Sequence, residues 1–222
     1  MSSSPPDYAM HVHHKPPARA QELSLTGQPR RWQVREHLYR CTGYGRARWG
    51  MDVAAVMAVI AHEQPEAQET LRHDYHRFSG EQRLELTLPA LAPGPGPVRV
   101  HYLFDGEHGV LCEVQLHWIS TGDPSQEQRL PLVQAATRLA GDLMSYRWSG
   151  LSTLRGAVRG PGALLLFAGR DEEGASVEIS LDGVAFDVER PGAPGRPEHR
   201  PAPRGPAALR LAYRAGGWLN TE

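Results

Sequence analysis

Cysteine and long apolar runs are both scarce in this chain. It has two cysteines, Cys41 and Cys112, in 222 residues, and no CxxC motif. Two thiols in a chain of this length do not make a disulfide framework, so we predict a reducing, cytoplasmic location. No stretch approaches the roughly 18 continuous apolar residues of a membrane span, and the first residues lack the pattern of a secretory signal. We therefore expect no association with a membrane.

An excess of charge of either sign is also absent. The formal net charge is −1 at pH 7, and Lys15 is the only lysine. No overall field therefore attracts nucleic acid or an anionic membrane. Hydrophobic residues make up 40% of the chain and charged residues 22%, as is typical of a globular protein. A chain of this length needs no metal or disulfide to hold its core, and we predict no cofactor.

The distribution of proline, glycine and apolar residues divides the chain into three parts. Residues 1–30 are rich in Pro, Ser and His without periodicity, which predicts a disordered tail. Residues 31–122 and 123–218 each read as a helical region followed by alternating strands. The predicted fold class is therefore α+β, with two helix-plus-antiparallel-meander units packed as one domain.

The stretch RARWGMDVAAVMAVI, at 46–60, marks the first predicted helix. Asp52 is a residue type that caps helix N-termini, because its carboxylate accepts hydrogen bonds from free backbone N–H groups. After it, apolar residues recur at the spacing of one helix face, at Val53, Val56, Met57 and Ile60. Gly50 allows the change of direction, and Trp49 is expected to anchor the corner by packing.

The remainder of the first unit predicts a second helix and a meander. Pro65 suits the first turn of a helix, and Leu71, Tyr75 and Phe78 follow at helical spacing. Three alternating segments then predict strands around 83–88, 98–104 and 110–118. If Phe104 faces Val110 across the DGEHG turn, then Tyr102 meets Cys112, and His101 meets Glu113 on the outer face.

The second unit repeats this layout. Leu132, Ala136, Leu139 and Leu143 predict a helix. Strands are predicted in ALLLFAG, SVEISL, VAFDV and ALRLAYRA. The Pro-rich loop 189–206 is expected to be too stiff and polar to join a sheet.

The first unit resembles the SmpA/OmlA (BamE-like) modules, which are small bacterial α+β domains. The residues that carry the resemblance are Gly50, Met51, Asp52 and Val56, which match a helix start of the form G-M-[ST]-x-x-x-V except for Asp at the cap. The resemblance continues as a helix-then-sheet layout to about Trp118. It implies a non-catalytic module that displays a sheet face or groove to another protein, and the membrane-assembly role of that family is not carried over.

Two histidine pairs are the candidates for chemistry. On a helix, His73 and His76 would be i, i+3 neighbours able to share a metal, although the HExxH spacing is absent. On the outer sheet face, His101 beside Glu113 would form a proton-transfer pair. The alternative for both pairs is an ordinary polar surface.

Aromatic and basic residues give the candidates for binding. Tyr146, Arg147 and Trp148 form an aromatic–basic–aromatic cluster that could stack nucleobases, but no surrounding basic patch supports nucleic-acid binding. In the Pro-rich loop, Arg196 and Arg200 belong to a local positive strip that could dock to an acidic partner.

The sequence as a whole favours a non-enzymatic protein-binding or scaffold module, with an inhibitor or immunity-type partner in the same class. The alternative is a small hydrolase that uses the His101–Glu113 pair or a metal held by His73 and His76. The expected partner is another protein, and the sequence predicts neither its identity nor the oligomeric state.

Overall fold

A computed structural model describes residues 38–149, 152–188 and 198–216. The predicted tail 1–30 and residues 189–197 of the Pro-rich loop, including Arg196, lie outside the described residues. The strands are β1 (Gly43–Tyr44), β2 (Ala47–Arg48), β3 (Arg72–Tyr75), β4 (Gln82–Leu88), β5 (Val98–Phe104), β6 (Leu111–Ser120), β7 (Thr153–Gly160), β8 (Ala163–Arg170), β9 (Ser176–Asp182), β10 (Phe186–Val188), β11 (Glu198–Arg200) and β12 (Ala207–Arg214). The helices are α1 (Val53–Glu63), a 3-10 helix (Pro65–Thr70) and α2 (Gln126–Met144).

One antiparallel sheet of eight strands dominates the fold, in the order β3-β4-β5-β6-β12-β9-β8-β7. Strands β3 to β6 run as a meander from one edge towards the centre. After α2, strands β7 to β9 return from the opposite edge, and β12 fills the place between β6 and β9. The fold is thus mixed α/β, with a large antiparallel sheet and few helices. Strands β1–β2 and β10–β11 form separate two-stranded sheets.

One face of the large sheet is apolar and carries the core. The predicted inward alternation is confirmed along β4, β5 and β9, where every second side chain is buried. Helix α1 contributes Val56 and Ile60 to this core, and α2 contributes Leu132, Ala136 and Leu143. Both helices therefore lie on the apolar face of the sheet. Among the described residues, no helix is long and apolar enough to cross a membrane.

The predicted corner before α1 is confirmed. The Asp52 carboxylate accepts a hydrogen bond from the backbone N–H of Ala55 at 2.8 Å, as a helix cap does. Gly50 has a φ of +83°, a conformation that favours glycine. The half-buried Trp49 indole donates to the carbonyl oxygen of Cys41 at 2.6 Å, which ties the corner to the preceding segment.

The predicted second helix over 65–78 is wrong beyond Thr70. Only the 3-10 helix Pro65–Thr70 is helical, and β3 then pairs antiparallel with β4 at the sheet edge. Tyr75 and Phe78, two of the residues that gave the helical spacing, are 59% and 98% exposed. Their spacing therefore did not reflect a buried face, and pairing with β4 holds this segment extended.

The predicted register between β5 and β6 is also wrong. Phe104 lies opposite Leu111, not Val110, and a bulge follows, so that Tyr102 lies opposite Val114. A bulge adds one unpaired residue to one strand. Cys112 occupies this irregularity and is half-buried, with its thiol against the Leu103 carbonyl oxygen at 3.4 Å.

The Pro-rich loop 189–206 does contribute a strand, contrary to prediction. Glu198–Arg200 pairs antiparallel with Phe186–Val188, outside the large sheet. These three residues lie between Pro197 and Pro201 but include no proline. Their backbone N–H groups can therefore donate to a ladder.

Candidate functional site

The second face of the large sheet is polar and open. Both helices of the described chain pack on the opposite, apolar face. The side chains that point to the open face form a continuous band of ion pairs and hydrogen bonds across the strands, which we call the polar ribbon. Its members are Asp74, Arg83, Glu85, His101, Glu113, Gln115, His117, Arg159, Glu178, Arg210 and Arg214.

Two carboxylates and three guanidinium groups form the centre of the polar ribbon. Arg159 donates two hydrogen bonds to Glu178, at 2.8 and 2.9 Å. Arg210 and Arg214 lie 3.8 and 3.7 Å from the same carboxylate. They also donate to Oε1 of Glu113, at 3.2 and 3.0 Å. Each carboxylate is therefore held by more than one arginine.

The strand register explains this arrangement. On β12, Arg210 and Arg214 are four residues apart, so both side chains point to the open face. Between them, Ala212 lies opposite Glu178 of β9 on one side and Gln115 of β6 on the other. Because Ala212 has a small side chain, the arginines can reach the carboxylates of both neighbouring strands.

The central side chains of the polar ribbon shield one another from water. Those of Glu178, Glu113 and Arg210 are 13%, 20% and 25% exposed. Burial alone would raise the pKa of Glu178, but the hydrogen bonds from Arg159 and the nearby charges of Arg214 and Arg210 bring this pKa below its ordinary value. The carboxylate is therefore ionised at neutral pH.

Two histidines continue the polar ribbon on β5 and β6. Gln115 donates to Glu113 at 2.7 Å, and its side-chain oxygen lies 2.9 Å from Nε2 of His117. The ring of His101 lies 5.1 Å from that of His117. Burial lowers the pKa of His117 to about 4, and nearby His101 adds to this effect. Burial also lowers the pKa of His101, so both rings are neutral at pH 7.

The polar ribbon ends at the β3 edge of the sheet. Nδ1 of His101 lies 3.8 Å from a carboxylate oxygen of Glu85. Arg83 is 4.0 Å from Glu85 and 2.7 Å from Asp74 on β3. The ribbon thus runs from Arg159 on β7 to Asp74 on β3, across the whole width of the sheet.

The proton-transfer pair predicted for His101 and Glu113 is not formed. His101 lies opposite Gln115, because the bulge shifts the register between β5 and β6. Glu113 is instead held by Arg210 and Arg214. The two candidates belong to the same ribbon without contacting each other.

The two predicted metal ligands, His73 and His76, each contact a different side chain. His73 lies on strand β3, not on a helix, and its Nε2 is 3.0 Å from the side-chain oxygen of Gln82. His76 follows the strand and contacts the hydroxyl of Ser79 at 2.8 Å. Within the described ranges, no group of three or more His, Cys, Asp or Glu side chains is placed to hold a metal ion.

The aromatic side chains that follow α2, Tyr146 and Trp148, pack against other rings of the protein. The ring of Trp148 stacks on Tyr39 at 4.4 Å and lies 5.2 Å from Phe167, and its N–H donates to the Leu143 carbonyl at 2.8 Å. Tyr146 contacts the edge of Tyr39 at 4.9 Å. The indole is therefore not free to stack a nucleobase.

The two arginine candidates among the described residues, Arg147 and Arg200, lie in different surroundings. Arg147 is exposed, and its carbonyl oxygen accepts a hydrogen bond from the N–H of Tyr39. Arg200 lies on β11, 3.8 Å from Glu198.

Sequence reasoning missed the arginines and the second glutamate of the polar ribbon. The signal was present: Arg210 and Arg214 occupy the outward positions of an alternating strand, and Glu178 lies between two inward positions, Val177 and Ile179. Their pairing depends on β12 lying between β6 and β9, and no sequence pattern fixed that strand order.

Comparisons with known proteins found no significant similarity. The chain matches no protein-family model, and neither the curated proteins nor the solved structures gave a significant match.

Proposed function

We propose that this chain is a non-enzymatic protein-binding module whose partner docks on the open face of the large sheet. The observation that carries the proposal is the polar ribbon itself. Its charged side chains are mounted on strands, and most of them contact more than one neighbouring side chain, so they are ordered before a binding partner arrives. Preorganisation of this kind reduces the entropy cost of association.

The size of the open face suits a protein partner. Eight strands about 4.8 Å apart span roughly 34 Å, and strands of about seven residues run roughly 23 Å, so the face covers on the order of 800 Å². A standard protein–protein interface takes about 800 Å² from each partner.

The charge of the face favours a protein over nucleic acid. The arginines of the polar ribbon alternate with glutamates and an aspartate along its length. A phosphate backbone requires a continuous positive surface, whereas a protein with acidic and basic side chains can match both signs. The apolar contact at such an interface would come from exposed residues around the ribbon, such as Ile119 and Leu154.

Several finer expectations belong to this proposal. Division into two units at about residue 122 is consistent with the strand order, because β3–β6 and β7–β9 come from successive halves of the chain. The resemblance to BamE-like modules and the cytoplasmic location are also retained as proposals. An inhibitor or immunity-type role is one form of the same binding function. The small-hydrolase alternative stays an untested prediction, and no contact in the polar ribbon favours it.

A matched pair of charge reversals tests the proposal. Arg99 is exposed on the open face beside His117, and Arg138 is exposed on α2 on the opposite side of the molecule. Tagged wild-type protein, Arg99→Glu and Arg138→Glu would be used to capture partners from cells of the source organism. We expect a protein that is retained by wild type and Arg138→Glu, is lost with Arg99→Glu, and binds the purified wild-type chain in a defined stoichiometry.

The opposite pattern would count against the open face. If Arg138→Glu abolishes binding of the purified partner while Arg99→Glu does not, the partner docks on the helical side instead. Equal capture by all three proteins would also contradict the proposal. Far-UV circular dichroism and thermal unfolding would show that both variants retain the wild-type fold.

A further inference from the structure

A pocket of about 520 Å³ lies on the helical side of the sheet, away from the polar ribbon. It is bordered by the β1–β2 hairpin, the C-terminal end of α1 and the apolar face of β4 and β5. Its floor consists of the buried side chains Ile60, Leu86, Leu88 and Val100. Small-molecule sites are of this size.

Two tyrosines supply polar groups to this pocket. Tyr102 is 7% exposed and Tyr44 is half-buried. Among the described residues, neither phenol hydroxyl has a hydrogen-bond partner. Burial raises the pKa of Tyr44 to about 12, with the nearby Glu63 carboxylate adding to the effect, so the phenol stays protonated.

The charged groups of the pocket favour a positive ligand. The Glu63 side chain is 30% exposed, whereas its partner Arg46 is 66% exposed and contacts it at 3.3 Å. The carboxylate is therefore the more enclosed of the two charges. An ion pair with so exposed an arginine contributes little to stability, so a ligand cation can displace Arg46 from Glu63.

The end of α1 adds to the negative potential. His62, Glu63 and the cap residue Gln64 line the pocket, so the C-terminus of this helix faces it. The helix dipole places partial negative charge at that end, which favours a cation. The phenol rings also attract cations through their π faces.

From this juxtaposition we propose that the pocket binds a small organic ammonium ion with an apolar body. Its charged group contacts the Glu63 carboxylate and the Tyr44 and Tyr102 hydroxyl oxygens, displacing Arg46. Its hydrocarbon part rests on the floor formed by Ile60, Leu86, Leu88 and Val100. This site is independent of the partner surface proposed above.

Isothermal titration calorimetry with three matched probes tests the chemical class. The probes are 2-phenylethylammonium chloride, the neutral 2-phenylethanol and the anionic 3-phenylpropanoate, each added to the full chain. We expect saturable binding of the ammonium probe and at least tenfold weaker binding of the other two. No saturable binding of the ammonium probe at millimolar concentration, or stronger binding of the anion, would overturn the proposal.

Four variants then test the site with the ammonium probe. We expect Glu63→Gln to weaken binding at least tenfold and Tyr102→Phe several-fold. We expect Arg46→Ala to leave binding unchanged or tighter, because it removes a competing cation. Glu66→Gln is the matched control, since Glu66 is exposed just beyond α1 and does not line the pocket.

Two results would contradict the assignment of the site. If Glu66→Gln weakens binding as much as Glu63→Gln, the effect is one of general surface charge. If Arg46→Ala weakens binding, the pocket recognises an anion or a zwitterion through Arg46. Chemical-shift mapping by NMR would show that each variant is folded and would place any bound probe within or outside the pocket.

Discussion

At the residue scale, one buried arginine holds several loops together. Arg129 is 5% exposed and forms an ion pair with Asp123 at 2.8 Å. It also donates to the carbonyl oxygens of Pro124, Gly183 and Gly205. These contacts tie the start of α2 to the turns that follow β9 and precede β12.

The position of Arg129 could have been recognised in the sequence. It lies three residues before Leu132 and seven before Ala136, on the face of α2 that is otherwise apolar. A charged residue on a buried face requires partners. The identity of these partners was not predictable, because the carbonyl groups come from loops distant in the chain.

We expect Arg129→Met to lower the free energy of unfolding by about 2–4 kcal/mol, because it leaves buried carbonyl oxygens without a donor. Urea denaturation would measure the change. Arg138→Met, on the exposed side of the same helix, is the control and should change stability by less than about 0.5 kcal/mol. Equal stability of the two variants would show that water replaces the Arg129 contacts.

Gly94, in the loop between β4 and β5, lies close against the ring of Trp118. A Cβ atom at Gly94 would lie 2.0 Å from Nε1 of Trp118. Trp118 is only 1% exposed, so its ring cannot move aside into solvent.

We expect Gly94→Ala to destabilise the protein by about 1–3 kcal/mol, as overpacking does. Thermal unfolding would detect this. Gly160→Ala is the matched control, since a Cβ there meets no atom within 4 Å. A wild-type melting temperature for Gly94→Ala would show that the loop does not press on Trp118.

At the element scale, most elements were predictable from periodicity. Both long helices and the strands β4, β5, β9 and β12 follow their apolar patterns, because each buries one face or stripe in the core. The exception in α1 is Met57, which was predicted on the buried face and is 39% exposed. Strand β3 was not predictable, since its exposed residues record no burial pattern. The β5–β6 register depended on a bulge at Cys112, which turn spacing alone does not reveal.

The paired histidines of β5 and β6 make stability depend on pH. The pKa of His117 is about 4 in the folded state, below the value of about 6.5 for an unperturbed histidine. Between these values the unfolded chain binds more protons than the folded chain. The free energy of unfolding therefore falls as the pH drops from about 6.5 to about 4. Above about pH 6.5 the full contribution of the neutral ring to stability is present.

We expect His117→Gln to reduce the slope of stability against pH between about 6.5 and 4. Urea denaturation at a series of pH values would measure this, with His62→Gln, on an exposed position of α1, as the matched control. A slope identical to that of wild type would mean that the His117 ring titrates alike in the folded and unfolded states.

At the scale of the whole molecule, the sequence predicted the chemistry of the two sheet faces but not how the strands come together. Alternation placed polar residues outward on β4, β5 and β6. It could not show that β12 would lie between β6 and β9 and bring Arg210 and Arg214 to Glu113 and Glu178. The polar ribbon is therefore a product of topology.

Site-specific photo-crosslinking in cells of the source organism tests the central proposal most directly. A photoreactive amino acid would replace Ile119, which is 43% exposed on the open face, or Arg138 on the helical side. We predict a discrete adduct with one protein from position 119 and none from position 138. An adduct from position 138 alone, or none from position 119, would contradict the assignment of the open sheet face as the partner surface.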